Sequence, residues 1–243
     1  MKNYFISKIW LCCVGIIIFQ TAVAQKQPQP LTAKTANGFV PKGWKLFSKA
    51  SGDLNKDGKP DLALIIEKVD RRNLIPNESL GADTLNTNPR RLVVAFGENN
   101  GYRLTVQNDH FIPTEHSEDA PCLADPLYDM VNKGLSIEGG LLFLNFNYWY
   151  SCGTWFVNSE KYTFRWQHNK FELIGLDVSE FHRASLDEKK YSINYSTGII
   201  ETTTGGNLSG EEKYQPKTVR KKLKKKFKYD LATITPYMDF GIE

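Results

Sequence analysis

A run of oxygen-bearing side chains at alternate positions is the part of this sequence best suited to chemistry. Residues 53–61 follow the pattern DxNxDGxxD, and the apolar run 62–66 follows at once. Side chains at positions 1, 3 and 5 of such a loop can curl around one hard cation, and the glycine at position 6 permits the sharp turn. Positions 7 and 9 add a main-chain carbonyl and a carboxylate. The predicted ligands are Asp53, Asn55, Asp57, the carbonyl of Lys59, and Asp61.

Calcium is the cation that fits this predicted ligand set. Three carboxylates in so short a loop repel each other unless a cation offsets their charge. A flexible loop rich in oxygens suits Ca²⁺, whereas Mg²⁺ requires a nearly regular octahedron. All the predicted ligands are used to close the loop, so we expect a structural ion rather than one that activates water. The alternative is a polar turn without metal; an EF-hand is excluded because position 12 is Leu64.

Residues 51–62, with the run 91–96 and the turn 97–101, resemble one FG-GAP/VCBS-type blade of integrin-like β-propellers. The resemblance covers about residues 51–107 and implies a calcium-bound β-hairpin loop with the four side-chain ligands given above. The sequence departs from that family in the long insertion within the hairpin and in the lack of a second DxDxDG-type loop. A propeller needs at least four blades, so an undivided propeller is disfavoured. The overall layout also resembles small exported bacterial proteins.

The segments around the loop are typical of β-strands. Short runs of β-branched and aromatic residues alternate with Gly, Asn and Asp turns, and helical periodicity is scarce. The polar, proline-containing segment 71–90 is expected to be a long surface loop. We predict an all-β fold, mainly antiparallel, that is a sandwich, a barrel or a partial propeller. The predicted strands are 61–67, 91–96, 102–107, 135–137, 141–147, 161–166, 171–176, 191–195 and 199–203.

The first 24 residues have the pattern of an export signal. Lys2 and Lys8 precede the apolar stretch 9–19, and Ala22-Val23-Ala24 supplies the small-x-small pattern of a cleavage site. A membrane span needs about 20 apolar residues, which this stretch lacks. We therefore expect cleavage after Ala24, export to the periplasm or the extracellular space, and no transmembrane segment in the mature chain. The alternatives are a membrane anchor or lipidation at Cys12 or Cys13.

The composition of the rest of the chain predicts one folded domain. Hydrophobic residues make up 41% and charged residues 24% of the sequence, which excludes disordered, collagen-like and coiled-coil classes. Residues 25–42 are polar and contain prolines, so we expect a flexible lead-in. Residues 43–243 are then a single β-rich domain in which the loop 53–61 is integral.

Cys122 and Cys152 are the two cysteines that remain after the predicted cleavage. An even count in an exported chain predicts one disulfide, which would contribute about 3 to 4 kcal/mol by restricting the unfolded chain. The alternative is a pair of buried free thiols.

Residues 217–228 concentrate positive charge in one short segment. The segment contains eight Lys or Arg residues and no acid. It is either a solvated edge strand guarded by lysines or a surface that binds anions. An acidic polysaccharide or another anionic envelope component is the expected partner, and nucleic acid is not expected for an exported protein. The candidate anion-binding residues are Arg220, Lys221, Lys222, Lys224, Lys225, Lys226 and Lys228.

Aromatic residues crowd the segment 141–166. Alternation along strands would bury every second ring, and the other interpretation is an exposed platform that stacks on sugar rings. The motifs HExxH, CxxC and GxSxG are absent, so no catalytic residue is predicted. We expect an exported, non-enzymatic β domain that binds a ligand or associates with the envelope. The alternative is a secreted carbohydrate-active enzyme with an aromatic-lined cleft, and the oligomeric state is not predicted.

Overall fold

Antiparallel strands account for almost all of the regular secondary structure of this chain. The computed structural model describes residues 29–128, 130–236 and 238–242, so the predicted signal 1–24 lies outside the described residues. No helix within these ranges is both long and apolar enough to cross a membrane. The strands are β1 (Thr32–Ala33), β2 (Trp44–Gly52), β3 (Asp61–Lys68), β4 (Leu74–Pro76), β5 (Thr84–Asn86), β6 (Arg90–Glu98), β7 (Gly101–Asn108), β8 (Leu135–Glu138), β9 (Leu141–Tyr148), β10 (Phe156–Gln167), β11 (Lys170–His182), β12 (Asp187–Asn194), β13 (Ile199–Asn207) and β14 (Lys217–Lys222).

Two large antiparallel sheets face each other. Five strands pair in the order β1-β7-β6-β3-β2, seven pair in the order β14-β13-β12-β11-β10-β9-β8, and β4 pairs with β5 in a small hairpin. The predicted all-β, mainly antiparallel fold is confirmed. Of the architectures that the sequence left open, the structure is a sandwich.

The main core lies between the two sheets. Strand β9 buries every second side chain, as its alternating sequence predicts. Phe96 of the five-stranded sheet packs edge-on against Trp166 of the other sheet, with ring centroids 4.9 Å apart. Buried residues that the two sheets contribute to this core include Ile65, Leu92, Val94, Leu142, Leu144, Phe146, Tyr162, Phe164 and Leu176.

The C-terminal segment, residues 229–236 and 238–242, completes this core from a distance in sequence. Leu231 and Ile234 have no exposed surface and belong to the core between the sheets. The side-chain amide of Asn108 donates to the carbonyl oxygens of both residues, at 2.7 Å and 2.9 Å. The end of β7 is thereby joined to the C-terminal segment.

The central strands β3 and β6 of the five-stranded sheet are buried on both faces, and the segment that covers one of these faces corrects an expectation from the sequence. Residues 29–42 are not a flexible lead-in: β1 pairs with β7, residues 36–39 form a 3₁₀ turn, and Phe39 is completely buried. Phe39 packs against Leu64 and Val93 on the face away from the main core. Burial on both faces explains the uninterrupted apolar runs of β3 and β6. The first residues of the expected lead-in, 25–28, lie outside the described residues.

The segment 71–90 is more ordered than the expected surface loop. It contains a 3₁₀ turn over Arg71–Asn73 and the β4–β5 hairpin. The buried amide of Asn88 accepts from the main-chain N–H of Asp70 at 3.0 Å and donates to its carbonyl at 3.2 Å. This exchange fixes the base of the segment beside the start of β6.

Arg90, the first residue of β6, is an ion buried within the protein. Its guanidinium donates to Glu67 at 2.8 Å and, through both terminal nitrogens, to Asp125 at 2.7 Å. The group also lies 4.1 Å from the ring centroid of Phe47. A charge with no exposed surface is tolerated only when it is paired and hydrogen-bonded, and Arg90 meets both conditions.

We expect Arg90→Ala to lower the free energy of unfolding by about 3 to 5 kcal/mol, because two carboxylates lose their shared cation inside the protein. Urea denaturation of the oxidised protein measures this change. Arg103→Ala is the matched control, since Arg103 and its partner Glu98 are both exposed, and we expect it to cost less than about 1 kcal/mol. Equal losses in the two variants would contradict the assignment.

Candidate functional site

The loop 53–61 connects β2 to β3, and its polar side chains turn back onto its own main chain. Asp53 accepts from the N–H of Gly58 at 3.0 Å, and Asn55 accepts from the N–H of Asp57 at 3.0 Å. Asp57 in turn accepts from the N–H of Lys59 at 2.9 Å, which lowers the pKa of its carboxyl group. The backbone of Gly58 has φ +82°, a conformation that residues other than glycine rarely adopt. The sequence-predicted residues therefore form one tightly curved loop.

Asp61 differs from the other carboxylates of the loop because it is fully buried. One of its oxygens accepts from the N–H groups of Leu54 and Asn55, at 2.8 Å and 3.3 Å. The other oxygen accepts from the N–H of Gly97 at 2.8 Å. Burial raises the pKa of this carboxyl group against the opposing effect of these hydrogen bonds. Asp61 thus joins the start of the loop to the β6–β7 turn.

The donor set of the loop suits Ca²⁺ in chemical type. Asp53, Asn55 and Asp57 offer oxygens that the loop holds in place and that retain lone pairs, since a carboxylate accepts about four hydrogen bonds. Among the described residues, no group of three His, Cys, Asp or Glu side chains could hold a metal ion. That statement concerns only these four residue types, whereas the predicted ligands also include the side-chain amide oxygen of Asn55 and the main-chain carbonyl of Lys59. Calcium therefore stays a prediction.

Cys122 and Cys152 form the predicted disulfide, with their Cα atoms 5.5 Å apart. The bond joins the segment before β8 to the loop between β9 and β10. Main-chain hydrogen bonds flank it: Ser151 donates to Cys122 at 2.8 Å, and Ala124 donates to Trp149 at 2.9 Å. The β9–β10 loop is therefore attached to its neighbour at several points.

The basic segment 217–228 divides into an edge strand and a packed turn. Strand β14 is exposed throughout and pairs with β13 only. After it, the partly buried rings of Phe227 and Tyr229 stack with centroids 5.9 Å apart. Lys225 lies 2.8 Å from Asp239 and holds the pKa of that carboxyl group below its usual value. The edge strand guarded by lysines is thus present.

Four of the predicted anion-binding residues line one groove of 370 Å³. They are Lys221, Lys222, Lys224 and Lys225, above a floor that includes Ile200 and Thr202. Lys226 and Lys228 line a second groove of 260 Å³ together with Lys225. Arg220 lines neither groove, because neighbouring strand residues alternate and it faces away from Lys221, toward Glu201, 3.5 Å away. Lys222 has the same parity as Arg220 but is the last residue of β14 and does line the groove.

The aromatic residues of 141–166 fall into two groups. Phe146, Tyr162 and Phe164 lie in the core, as strand alternation predicts. Trp149 and Trp155 lie in the β9–β10 loop and are 41% and 62% exposed. Strand periodicity carries no information about loop residues, so the sequence did not separate these two groups. Arg183, which contacts both exposed rings, was not predicted from any motif.

We expect Asp61→Ala to destabilise the chain by about 2 to 4 kcal/mol even in EDTA, because buried N–H groups lose their acceptor. Asp57→Ala, an exposed residue of the same loop, should cost less than about 1 kcal/mol under those conditions. Chemical denaturation of both variants in EDTA provides the comparison. A larger loss for Asp57→Ala would show that Asp61 is not the anchor of the loop.

Comparisons with protein-family models, with curated proteins and with solved structures found no match to this chain. The resemblance of residues 51–107 to an FG-GAP/VCBS-type blade therefore stays a prediction from the loop pattern. Any functional proposal depends on the chemistry of the described residues themselves.

Proposed function

We propose that this chain is an exported, non-enzymatic β module that binds an acidic polysaccharide or a similar anionic envelope component. The ligand is held along the basic segment 217–228. A structural Ca²⁺ in the loop 53–61 and the disulfide keep the framework rigid.

The lysine-lined groove is the observation that carries this proposal. Within the described residues, Lys221 and Lys222 have no carboxylate at ion-pair distance, although both line the groove. Unpaired ammonium groups on an exposed surface attract polyanions over about one Debye length, 8 Å at physiological salt. The floor of Ile200 and Thr202 accommodates the uncharged part of such a polymer.

Two further observations favour an exported binding module. A disulfide is typical of proteins that fold in an oxidising compartment. Burial of Phe146, Tyr162 and Phe164 places these rings in the framework and removes them from any substrate cleft. This burial favours the module over the alternative, a carbohydrate-active enzyme with an aromatic-lined cleft.

Heparin serves as a probe polyanion for the basic segment. We expect the triple variant Lys221→Gln, Lys222→Gln, Lys226→Gln to bind heparin about tenfold or more weakly than the unchanged chain, because three exposed charges are lost. Isothermal titration at several salt concentrations measures the affinity, and the salt dependence should become shallower.

The matched control for heparin binding is Lys34→Gln, Lys42→Gln, Lys49→Gln, which removes the same charge from exposed residues elsewhere. It should weaken binding by less than about threefold. An equal loss in both variants, or no heparin binding at low salt, overturns the proposed binding surface.

The calcium part of the proposal predicts a gain in stability. For an extracellular site with a Kd of about 10⁻⁴ to 10⁻³ M, 10 mM Ca²⁺ should raise the free energy of unfolding by about 1.4 to 2.7 kcal/mol over EDTA. Asp53→Asn combined with Asp57→Asn should abolish this gain. The control, Asp83→Asn combined with Asp119→Asn, changes exposed acids outside the loop and should keep it. Identical denaturation curves of the unchanged chain in Ca²⁺ and EDTA exclude the ion.

A further inference from the structure

The β9–β10 loop exposes two large aromatic rings side by side with a cation. Trp149 and Trp155 are 41% and 62% exposed, and Phe156, which follows at the start of β10, is 44% exposed. We call Trp149, Trp155 and Arg183 the aromatic platform. Large rings exposed together are uncommon on a protein surface and mark interaction sites.

Main-chain hydrogen bonds and a disulfide attach the aromatic platform to neighbouring segments. Trp149 accepts from the N–H of Ala124 at 2.9 Å, and Trp155 accepts from the N–H of Arg183 at 2.8 Å. The disulfide of Cys152 lies between the two tryptophans in sequence. Binding of a ligand to these rings would therefore cost little conformational entropy for ordering the loop.

Arg183 occupies the space next to both indole rings. Its Cζ atom lies 4.6 Å from the ring centroid of Trp149 and 5.4 Å from that of Trp155. One terminal nitrogen donates to the carbonyl of Thr154 at 2.6 Å. Within the described part of the chain, the Nε of Arg183 is the one buried side-chain nitrogen or oxygen that has no hydrogen-bond partner. An unsatisfied buried donor calls for an explanation other than the stability of the fold.

The chemistry of the platform favours a sugar ring over a proline-rich peptide. Peptides of that kind insert prolines into grooves between aromatic rings, and here the guanidinium of Arg183 lies beside both indoles. A pyranose whose hydroxyl groups are all equatorial presents a flat face of C–H groups with polar edges. The C–H face suits an exposed indole, and the hydroxyl edge suits the donors of an arginine.

We propose that the aromatic platform is a second binding site, which stacks on gluco-configured pyranose rings of a β-linked oligosaccharide. It uses none of the residues of the basic segment and does not depend on the polyanion site. Because one guanidinium contacts both indoles, the two rings lie close enough to contact one oligosaccharide chain together.

Titration of the full chain with cellohexaose and chitohexaose, followed by calorimetry and tryptophan fluorescence, tests the site. We expect binding of at least one hexasaccharide, a loss of about tenfold or more in Trp155→Ala and in Trp149→Ala, and partial retention in Trp155→Phe. Leu31→Ala, which removes another exposed apolar side chain, should leave the affinity unchanged. Thermal melts of each variant identify any that fail to fold.

Separate outcomes distinguish this site from the polyanion site. Heparin affinity should be unaffected by Trp155→Ala, and hexasaccharide affinity should be unaffected by the triple lysine variant. The inference is overturned if neither hexasaccharide binds at millimolar concentration, or if binding survives both tryptophan substitutions. Binding of a polyproline decamer in place of the sugars would also overturn it.

Discussion

The buried charge of Arg90 constrains how the remaining parts can be arranged. Its guanidinium binds Glu67 on β3 and Asp125 in the segment before β8, and it stacks on Phe47 of β2. Asp125 is only three residues from Cys122, whose disulfide holds the β9–β10 loop. Loss of either partner would leave charge uncompensated inside the protein, so the contacts of Arg90 constrain these three segments together. A connected series of contacts thus leads from the five-stranded sheet to the exposed tryptophans.

The local sequence pattern predicted the strands well where apolar and polar residues alternate or where a tight turn follows. The hairpin of β6 and β7 and the strands from β8 to β13 appear where the sequence predicts them, although β10, β11, β12 and β13 all extend beyond their predicted ranges. Strand β2 was missed because polar residues interrupt its apolar pattern between Trp44 and Gly52. The burial of Phe39 depends on a sheet formed by residues far along the chain, so no local pattern reveals it.

The candidate sites show the same division between local and distant information. The loop pattern identified residues that do form one curved loop. It did not show that the carboxylate of Asp61 accepts hydrogen bonds from three N–H groups, one of them from Gly97. Counting cysteines sufficed for the disulfide. Charge density located the basic segment, whereas the exclusion of Arg220 from its groove follows from strand register. The role of Arg183 depends on pairing across β10 and β11 and has no signature in sequence.

The contact of Asn108 with Leu231 and Ile234 has a consequence for how the molecule is made. Because Leu231 and Ile234 fill the space between the sheets, the polypeptide gains these stabilising interactions only after residues 123 and 126 positions beyond Asn108 have been synthesised. Such long-range closure slows folding. A nascent chain of this design would therefore stay incompletely folded for longer during its synthesis than a chain whose core is formed by residues close together in sequence.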